Sequence, residues 1–209
     1  MNPDDLEAKT IANYDANAHS WTTAHAVVNH WIWAVEKLKT LLPAGKVLEI
    51  GCGGGRDAAE LLLAGYDYTG TDASQGMVSV AQTNVPAGVF KHLSVYDVET
   101  LNTKFDGFWA CNVLLHIPKQ RMGEALTALN HSLKQGAVGM IALKNGDGED
   151  FEVRDIEDRH EERLFVYWRK GEFTDTLAQY GFHVTDYRHI PVDKRTSQHV
   201  FFVVKDAEA

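Results

Sequence analysis

The stretch VLEIGCGGGRD, Val47–Asp57, joins an apolar run to a polar one through a cluster of glycines. Lys46–Ile50 has the character of a buried strand, and Arg56–Ala64 has the apolar spacing of a helix. A glycine turn between a strand and a helix leaves backbone N–H groups free at the carboxyl edge of a parallel sheet, where open α/β sheets bind ligands. The stretch therefore predicts an α/β fold with a binding site at this turn.

The rest of the chain continues the alternation of strands and helices. This rhythm indicates βαβ units with parallel strands and right-handed crossovers. The last two strands follow each other without a helix, which predicts an antiparallel strand near one edge of the sheet. We expect a Rossmann-like, doubly wound, seven-stranded sheet that is otherwise parallel. Its strands are predicted at about 46–50, 66–71, 89–95, 105–113, 137–143, 182–190 and 198–205, and the main helices at about 23–42, 56–64, 74–84, 119–134 and 170–180.

Two segments lie outside this rhythm. Residues 1–43 are predicted to form an N-terminal helical lid on a core of residues 44–209, the whole chain being one domain. Residues 145–163 are rich in Asp and Glu and lack a core pattern. A solvated loop or an exposed helix is favoured there over a flexible lid above a site.

The composition limits the possible partners. The formal net charge of −9 and the pI of about 5.5 leave no basic footprint, so we expect neither nucleic acid nor a membrane surface as a partner. Two cysteines fit a reducing, cytoplasmic environment, and the polar N-terminus does not have the pattern of a signal peptide. The histidines lack metal-ligand spacing, so no metal is expected. Composition leaves the oligomeric state open.

The spacing of the glycines discriminates between cofactors. Counted from Gly51, the dinucleotide fingerprint G-x-G-x-x-G requires a third glycine where Arg56 stands. The phosphate loop G-x-x-x-x-G-K-[ST] also fails, because no Lys-Ser or Lys-Thr follows the turn. The turn instead has the pattern E-x-G-x-G-x-G over Glu49, Gly51, Gly53 and Gly55.

With this motif the sequence resembles the class I S-adenosylmethionine-dependent methyltransferases, in motif order from about Val47 to Val204. The resemblance implies S-adenosylmethionine as cofactor and S-adenosylhomocysteine as product. The glycine turn, with Cys52 inside it, would let the backbone approach the methionyl part. Glu49 would organise the amino group. Arg56 would pair with the carboxylate, the alternative being an ordinary solvated helix residue.

Two acidic positions further along the chain agree with a nucleoside. Asp72 ends the second predicted strand about twenty residues after the glycines, where a carboxylate can accept from both ribose hydroxyls; capping of the next helix is the alternative. Ala73 and Met77 would form apolar walls. Near the end of the third predicted strand, Asp97 and Val98 would read the adenine amine and a ring nitrogen, the alternative being that Asp97 begins a turn.

The end of the fourth strand faces the methyl group in the resembled fold. Asn112 and Val113 would line the cofactor pocket there. His116 is the candidate general base, with a structural role as the alternative. The N-P-P-[YF] type of element carried by amino-methylating nucleic-acid enzymes is replaced by Asn112-Val113-Leu114-Leu115, which counts against adenine or glutamine N-methylation.

Candidate substrate groups come from the two ends of the chain. Tyr14 is predicted to reach the cofactor from the lid and Trp21 to form a substrate wall, core packing being the alternative for both. ALKNGDGE and ERLFVYW resemble a bacterial, type 11/12-like subset of these methyltransferases. Lys144 and Arg163 would hold an anionic substrate or neutralise the acidic segment. Tyr167 is a further substrate candidate.

We therefore expect an enzyme that transfers a methyl group from S-adenosylmethionine to a small molecule by in-line displacement. An NAD(P)-dependent oxidoreductase and a non-catalytic S-adenosylmethionine-binding regulatory protein are the alternatives. Side-chain types alone do not give the methyl acceptor or the nucleophilic atom.

Overall fold

The computed structural model describes residues 2–25, 30–156, 159–193 and 196–207. The main sheet contains β1 (Lys46–Ile50), β2 (Asp67–Asp72), β3 (Val89–His92), β4 (Phe105–Cys111), β5 (Leu133–Lys144), β8 (Phe182–Pro191) and β9 (Ser197–Lys205). A separate antiparallel pair contains β6 (Glu149–Ile156) and β7 (Arg159–Val166). The helices are α1 (Pro3–Ala24), α2 (Ile32–Leu41), α3 (Arg56–Leu63), α4 (Gln75–Asn84), α5 (Met122–Ser132) and α6 (Lys170–Gln179).

The main sheet has the strand order β3-β2-β1-β4-β5-β9-β8. The strands from β3 to β5 pair in parallel, and β9 runs antiparallel to both of its neighbours, β5 and β8. The seven-stranded, doubly wound, mostly parallel sheet is thus confirmed. Its order reverses between β1 and β4, so the crevice for a ligand lies at their carboxyl ends.

Apolar side chains alternate between the two faces of the sheet and form two cores. In β4, Phe108 and Ala110 face one core, whereas Trp109 and Cys111 face the other. Helices α5 and α6 cover the first face, and α2, α3 and α4 cover the second. Because both faces of the central strands are covered, most of the residues in β4 and β5 are apolar, as in buried parallel strands.

The predicted helix at 23–42 is wrong in its first half. The chain forms α1 before it and α2 from Ile32 onward, and residues 26–29 lie outside the described part. Helix α1 begins early because Asn2 Oδ1 accepts from the backbone N–H of Asp4 at 2.7 Å and Pro3 occupies the first turn. Because α2 packs into the core, only α1 is left as a candidate for the predicted lid, which stays a prediction. None of the described helices combines the length and apolar character that a membrane span needs.

The expectation of a loop or helix at 145–163 is also wrong. Most of this segment forms the hairpin β6–β7. The many charged residues obscured the strand pattern in the sequence, but residues of opposite charge face each other across the hairpin. Glu152 lies opposite Arg163, and Arg154 lies opposite Glu161. Opposite charges on facing residues stabilise an antiparallel pair, and the apolar end of β7 anchors the hairpin to the core.

Candidate functional site

A cavity of about 580 Å³ opens at the carboxyl edge of the main sheet. Side chains from α1 and from the hairpin line it together with the ends of β1, β2 and β4. The predicted site residues that line it are Tyr14, Trp21, Glu49, Gly51, Cys52, Gly53, Gly55, Arg56, Asp72, Ala73, Met77, Asn112, Val113, His116, Lys144 and Arg163. Three other predicted residues, Asp97, Val98 and Tyr167, lie outside it.

The glycine turn presents bare backbone to the cavity. Gly51, Gly53 and Gly55 have φ angles of 67°, 52° and 87°, a left-handed region that favours glycine. A Cβ on Gly51 would overlap the side chain of Val113, so the turn packs tightly against the chain that follows β4. Among the described residues, a Cβ on Gly53 would have only Trp21 within 4 Å, at 3.8 Å. The space beside Gly53 is therefore open to a ligand.

Glu49 places a buried carboxyl at the end of β1. Its residue is 2% exposed, and one carboxyl oxygen accepts from the hydroxyl of Tyr68. Burial raises the pKa of the Glu49 carboxyl well above its ordinary value, and the charge of Asp57 raises it further. A cationic group beside Glu49 would favour the ionised form. The position is therefore suited to an ammonium group.

Asp72 presents a half-buried carboxyl at the end of β2. Its Oδ2 accepts from the N–H of Gly53 and its Oδ1 from the N–H of Ser74, both at 2.9 Å. Burial nevertheless raises the pKa of Asp72 to about 6. Each carboxylate oxygen can accept a further hydrogen bond, so a vicinal diol can bond to both. Asp72 both shapes the start of α4 and faces the cavity.

The third strand is shorter than the predicted range of about 89–95. Strand β3 ends at His92, and a 3₁₀ helix follows over Val95–Leu101 with Ser94 as its N-cap. This turn of helix leaves Asp97 exposed and packs Val98 into the core. Leu93, Ser94 and Val95 line the cavity instead. The residues beside the cavity are thus the first ones after the strand, before the 3₁₀ turn redirects the chain.

Arg56 is not an ordinary solvated helix residue. Its Nε donates to Asp57 Oδ1 at 2.5 Å and its Nη2 to Asp57 Oδ2 at 3.0 Å. Asp57 also accepts from Trp109 Nε1 at 3.0 Å, so the carboxylate is fixed in the core. This pair orients the guanidinium at the cavity wall, and a guanidinium has five N–H donors. Arg56 can therefore bind a second anion while it stays paired.

Tyr14 and His116 form a hydrogen-bonded pair under the lid. His116 Nδ1 lies 2.6 Å from the carbonyl oxygen of Leu164, which can only accept, so Nδ1 carries the proton. His116 Nε2 then accepts from the Tyr14 hydroxyl at 2.8 Å. Arg163 Nη1 donates to the same Tyr14 oxygen at 3.3 Å. Burial lowers the pKa of His116 to about 3, so this geometry makes His116 a neutral residue that positions Tyr14.

The chain after β4 turns sharply at Asn112, which has a φ of 57°. Asn112 Oδ1 accepts from Gln198 Nε2 at 3.1 Å, which links the carboxyl edge of β4 to β9. Both side chains line the cavity. Asparagine adopts this backbone conformation more readily than most residues. The turn therefore gives the cavity a polar amide wall beside Gly51.

The hairpin side of the cavity is basic and aromatic. Lys144 Nζ lies 3.5 Å from the centroid of the Phe165 ring, and the Arg163 guanidinium carbon lies 5.2 Å from it. Tyr167 is two residues further along than Phe165, beyond the end of β7. Its hydroxyl donates to Glu152 Oε1 at 3.0 Å, which holds the ring outside the cavity. The substrate candidate Tyr167 therefore lies outside the cavity, and its role stays a prediction.

Several residues that shape the cavity were missed in the sequence. Thr10 Oγ1 accepts from the backbone N–H of Leu164 at 2.9 Å, which joins α1 to β7. Asp15 Oδ1 accepts from Ser74 Oγ at 2.7 Å and from the Gly76 N–H at 2.8 Å, which joins α1 to the start of α4. These contacts join distant parts of the chain, so no local spacing indicates them. Other missed lining residues are Ile11, Ser94 and Gln198.

Comparison with known sequences agrees with this geometry. Residues 47–136 match the family model described as a methyltransferase domain. Among curated proteins, the chain is similar to Hemagglutinin 1 of Eikenella corrodens, with 29% identity over 62% of this chain and 42% of that protein. It is also similar to the probable S-adenosyl-L-methionine-dependent methyltransferase TehB of Haemophilus influenzae, with 24% identity over 83% of this chain and 60% of TehB. The chain thus spans about half the length of these curated relatives.

Comparison with solved structures supports the fold. The chain is similar to Burkholderia thailandensis 1,6-didemethyltoxoflavin-N1-methyltransferase, which was crystallised with 1,6-didemethyltoxoflavin and S-adenosylhomocysteine. The TM-score is 0.78 with 20% identity, and the match covers 99% of this chain and 92% of that one. Similarity at this identity establishes the shared architecture.

Proposed function

We propose that this chain, a class I methyltransferase by its fold and its methyltransferase domain, transfers a methyl group from S-adenosylmethionine to a small molecule. The observation that carries the proposal is the pairing of Asp72 with Gly53. A half-buried carboxylate at the end of β2 lies 2.9 Å from the N–H of a glycine whose missing side chain leaves open space. A nucleoside with an extended amino-acid tail needs both features.

The cavity residues fit the chemical groups of S-adenosylmethionine. Asp72 would accept from the two ribose hydroxyls. Glu49 would receive the ammonium group, and its raised pKa would fall when it does. Arg56 would bind the carboxylate with the donors that Asp57 leaves available. Ser94 and Val95 would lie at the adenine. Each group thus has a partner of matching charge or hydrogen-bonding type.

Other predicted cofactor residues complete the walls of this proposed site. Tyr14 would contact the cofactor from the lid. Its ring lies between those of Trp21 and His116, in edge-to-face geometry, with centroid distances of 5.5 and 5.4 Å. The bare glycine backbone and the apolar side chains around it would exclude water from the cofactor. These further wall residues are Gly51, Cys52, Gly55, Ala73, Met77, Asn112 and Val113.

S-adenosylmethionine supplies a methyl group on a cationic sulfonium, which a nucleophile takes by in-line displacement. The contribution of the chain is alignment and exclusion of water. The Tyr14 hydroxyl is held from two sides, by His116 and by Arg163, so its position is fixed before a ligand arrives. His116 uses its only lone pair on Tyr14, so we assign it a positioning role. A general base at His116 stays a prediction, and it would require that bond to break.

The dimensions of the cavity support a small-molecule acceptor. Its volume of about 580 Å³ lies in the range of small-ligand pockets. Helix α1 and the hairpin bond to each other across it, through Thr10 and Leu164 and through Asn13 and His160. The methyltransferase from Burkholderia thailandensis, with the same architecture, was crystallised with a small heterocycle. A type 11/12-like enzyme built from one domain agrees with these observations.

Two thiols support a cytoplasmic location for this enzyme. Cys52 and Cys111 are free and buried. Burial raises the pKa of both thiols well above the ordinary value, so they stay protonated. Proteins with unpaired thiols and no disulfide framework are typical of reducing compartments.

The proposed cofactor site is tested with S-adenosylhomocysteine and an Asp72→Ala variant. We expect S-adenosylhomocysteine to raise the melting temperature of the wild type, whereas NADH has no effect. Loss of two hydrogen bonds to a charged acceptor costs roughly 3–6 kcal/mol, so Asp72→Ala should weaken binding at least about 100-fold. Isothermal titration calorimetry measures the dissociation constant.

Asp67→Ala is the matched control. Asp67 is an exposed carboxylate at the opposite end of the same strand, where it pairs with Lys46. This variant should bind S-adenosylhomocysteine as the wild type does. Equal affinities for Asp72→Ala and Asp67→Ala, or stabilisation by NADH alone, would contradict the proposal.

A further inference from the structure

Most of the charged side chains that line the cavity fall into two groups. The acids Glu49, Asp57 and Asp72 belong to β1, the start of α3 and β2, on the glycine-turn side, where Arg56 pairs with Asp57. The hairpin side instead carries three cations: Lys144 at the end of β5 and Arg154 and Arg163 on the hairpin. In a chain with a net charge of −9, such a cationic wall is suited to an anionic ligand wherever the chain's own carboxylates do not already pair with it.

Two of these three cations already have carboxylate partners. Arg163 Nη2 pairs with Glu161 Oε2 at 2.5 Å, and Arg154 pairs with Glu152. Lys144 makes no ion pair with a carboxylate anywhere in the described ranges. Its ammonium lies instead against the Phe165 ring, at 3.5 Å from the centroid. Lys144 is therefore the cation of this wall that is available to a ligand.

The carboxylate of the cofactor is not the partner that this position indicates. That carboxylate would lie at Arg56, beside the turn after β1. Strands β4 and β5 follow β1 in the sheet, so Lys144 lies two strands away, or about 10 Å. Asp72 lies one strand away from β1 in the opposite direction. Lys144 thus belongs to the acceptor side of the cavity.

We propose that the methyl acceptor is a small planar acid, whose carboxylate is bound by Lys144 while its ring packs on the aromatic side chains beside it. This inference rests on the proposed function and names its substrate class. The aromatic surface is given by Phe165 under the ammonium and by His116, whose ring centroid lies 5.2 Å from that of Phe165 and which also lines the cavity. Arg163 adds positive charge without leaving Glu161. Neutral acceptors of the same shape would leave the Lys144 ammonium without a partner.

The test uses benzoate and its neutral isostere benzamide as probes on protein saturated with S-adenosylhomocysteine. Ligand-observed NMR measures both dissociation constants. A hydrogen bond to a charged group is worth about tenfold or more in affinity, so benzoate should bind at least about tenfold more tightly than benzamide. In Lys144→Gln this preference should fall below about threefold, and Lys144→Arg should restore it.

Lys170→Gln is the matched control. Lys170 also lies over an aromatic ring, with its Nζ 4.1 Å from the centroid of Tyr187, but outside the cavity. This variant should keep the wild-type preference for benzoate. Equal affinities of benzoate and benzamide, absence of binding by both, or a preference that survives in Lys144→Gln would each overturn the proposal.

The same experiment separates the two proposals. Stabilisation by S-adenosylhomocysteine in the wild type and in Lys144→Gln establishes that the cofactor site is intact. A failed benzoate preference in that setting counts against the acid acceptor alone. Failure of S-adenosylhomocysteine to bind the wild type counts against the methyltransferase proposal itself.

Discussion

At the scale of single residues, the half-buried carboxyl of Asp72 and the buried carboxyl of Glu49 have different surroundings. Asp72 accepts from two backbone N–H groups, whereas Glu49 accepts from the hydroxyl of Tyr68. Backbone donors favour the ionised form, which limits the rise in the pKa of Asp72 to about 6. Glu49 lacks such donors among the described contacts, and burial raises its pKa well above the ordinary value. The Asp72 carboxylate can thus accept from neutral hydroxyl groups, whereas Glu49 needs a neighbouring cation to favour its ionised form.

Gly51 gives a prediction about steric exclusion. Gly51→Ala must adopt a φ near 67° and must also displace Val113. A left-handed alanine costs about 1–2 kcal/mol, and overpacking adds about 1–3 kcal/mol. We expect a loss of about 2–5 kcal/mol in the free energy of unfolding, measured by urea denaturation without ligand.

Gly136→Ala isolates the backbone contribution. Gly136 has a φ of 70°, and a Cβ there would meet nothing within 4 Å. This variant should lose only about 1–2 kcal/mol, the cost of the left-handed conformation. Equal losses in the free energy of unfolding of the two variants would show that the Val113 side chain moves away from the new methyl group at little cost.

Residues near the glycine turn were predictable because their spacing is local. Glu49, Gly53 and Asp72 follow from the end of a strand and the start of the next helix, and all of them line the cavity. Asp97 was predicted beside the cavity but lies outside it. The length of β3 is set by its pairing with β2, which stops at His92. A shift of a few residues after a strand end changes the side of the chain that faces the cavity.

At the scale of elements, α1 and the hairpin β6–β7 form one bonded unit over the cavity. Thr10 accepts from the N–H of Leu164, and Asn13 and Asn17 both donate to the carbonyl of His160. Sequence periodicity missed this unit, because α1 is polar and the hairpin is charged. The signal that would have found the hairpin is the mirrored pairing of Glu152 with Arg163. The partner of α1 had no local signal.

Thr10→Val tests the bond between these elements. The substitution removes the acceptor for the buried Leu164 N–H, and an unpaired buried donor costs about 1–3 kcal/mol. We expect that loss in the free energy of unfolding, together with faster hydrogen exchange at the Leu164 amide. Denaturation and exchange measured by NMR check both effects.

Thr127→Val is the matched control for this bond. The hydroxyl of Thr127, like that of Thr10, donates to the backbone carbonyl four residues earlier, but it is exposed and receives no bond from another element. Its stability should change by less than about 0.5 kcal/mol. An unchanged exchange rate at Leu164 in Thr10→Val would mean that α1 does not protect the hairpin.

At the scale of the whole molecule, the stability should depend on pH through its buried carboxyls. The folded pKa of Asp72 is about 6, against an ordinary value of 3.8. Between these values the folded state binds more protons than the unfolded state, so its stability falls as pH rises. A shift of about 2 units corresponds to roughly 3 kcal/mol.

Asp72→Asn isolates this contribution, because asparagine does not titrate. We expect the free energy of unfolding of the wild type minus that of the variant to fall by up to about 3 kcal/mol between pH 4 and pH 7. Denaturation of the ligand-free proteins at several pH values measures it. Glu7, whose pKa burial also raises, contributes equally to both proteins. The Asp72 charge is a minor cause of the raised pKa of Glu49, so the variant also removes that small contribution. Parallel pH curves would contradict the assignment to Asp72.

Helix α1 is attached to the rest of the molecule through apolar side chains as well as polar atoms, and this has a thermodynamic consequence. Its fully buried residues are Glu7, Thr10 and Ala18, but Leu6 packs on the apolar core and the rings of Tyr14 and Trp21 line the cavity. Separation of this helix would expose apolar surface, so we expect it to carry a positive heat-capacity change. The stability of the attachment is therefore expected to follow a curved temperature profile, as the two apolar cores below it do, with a smaller curvature because fewer apolar side chains take part.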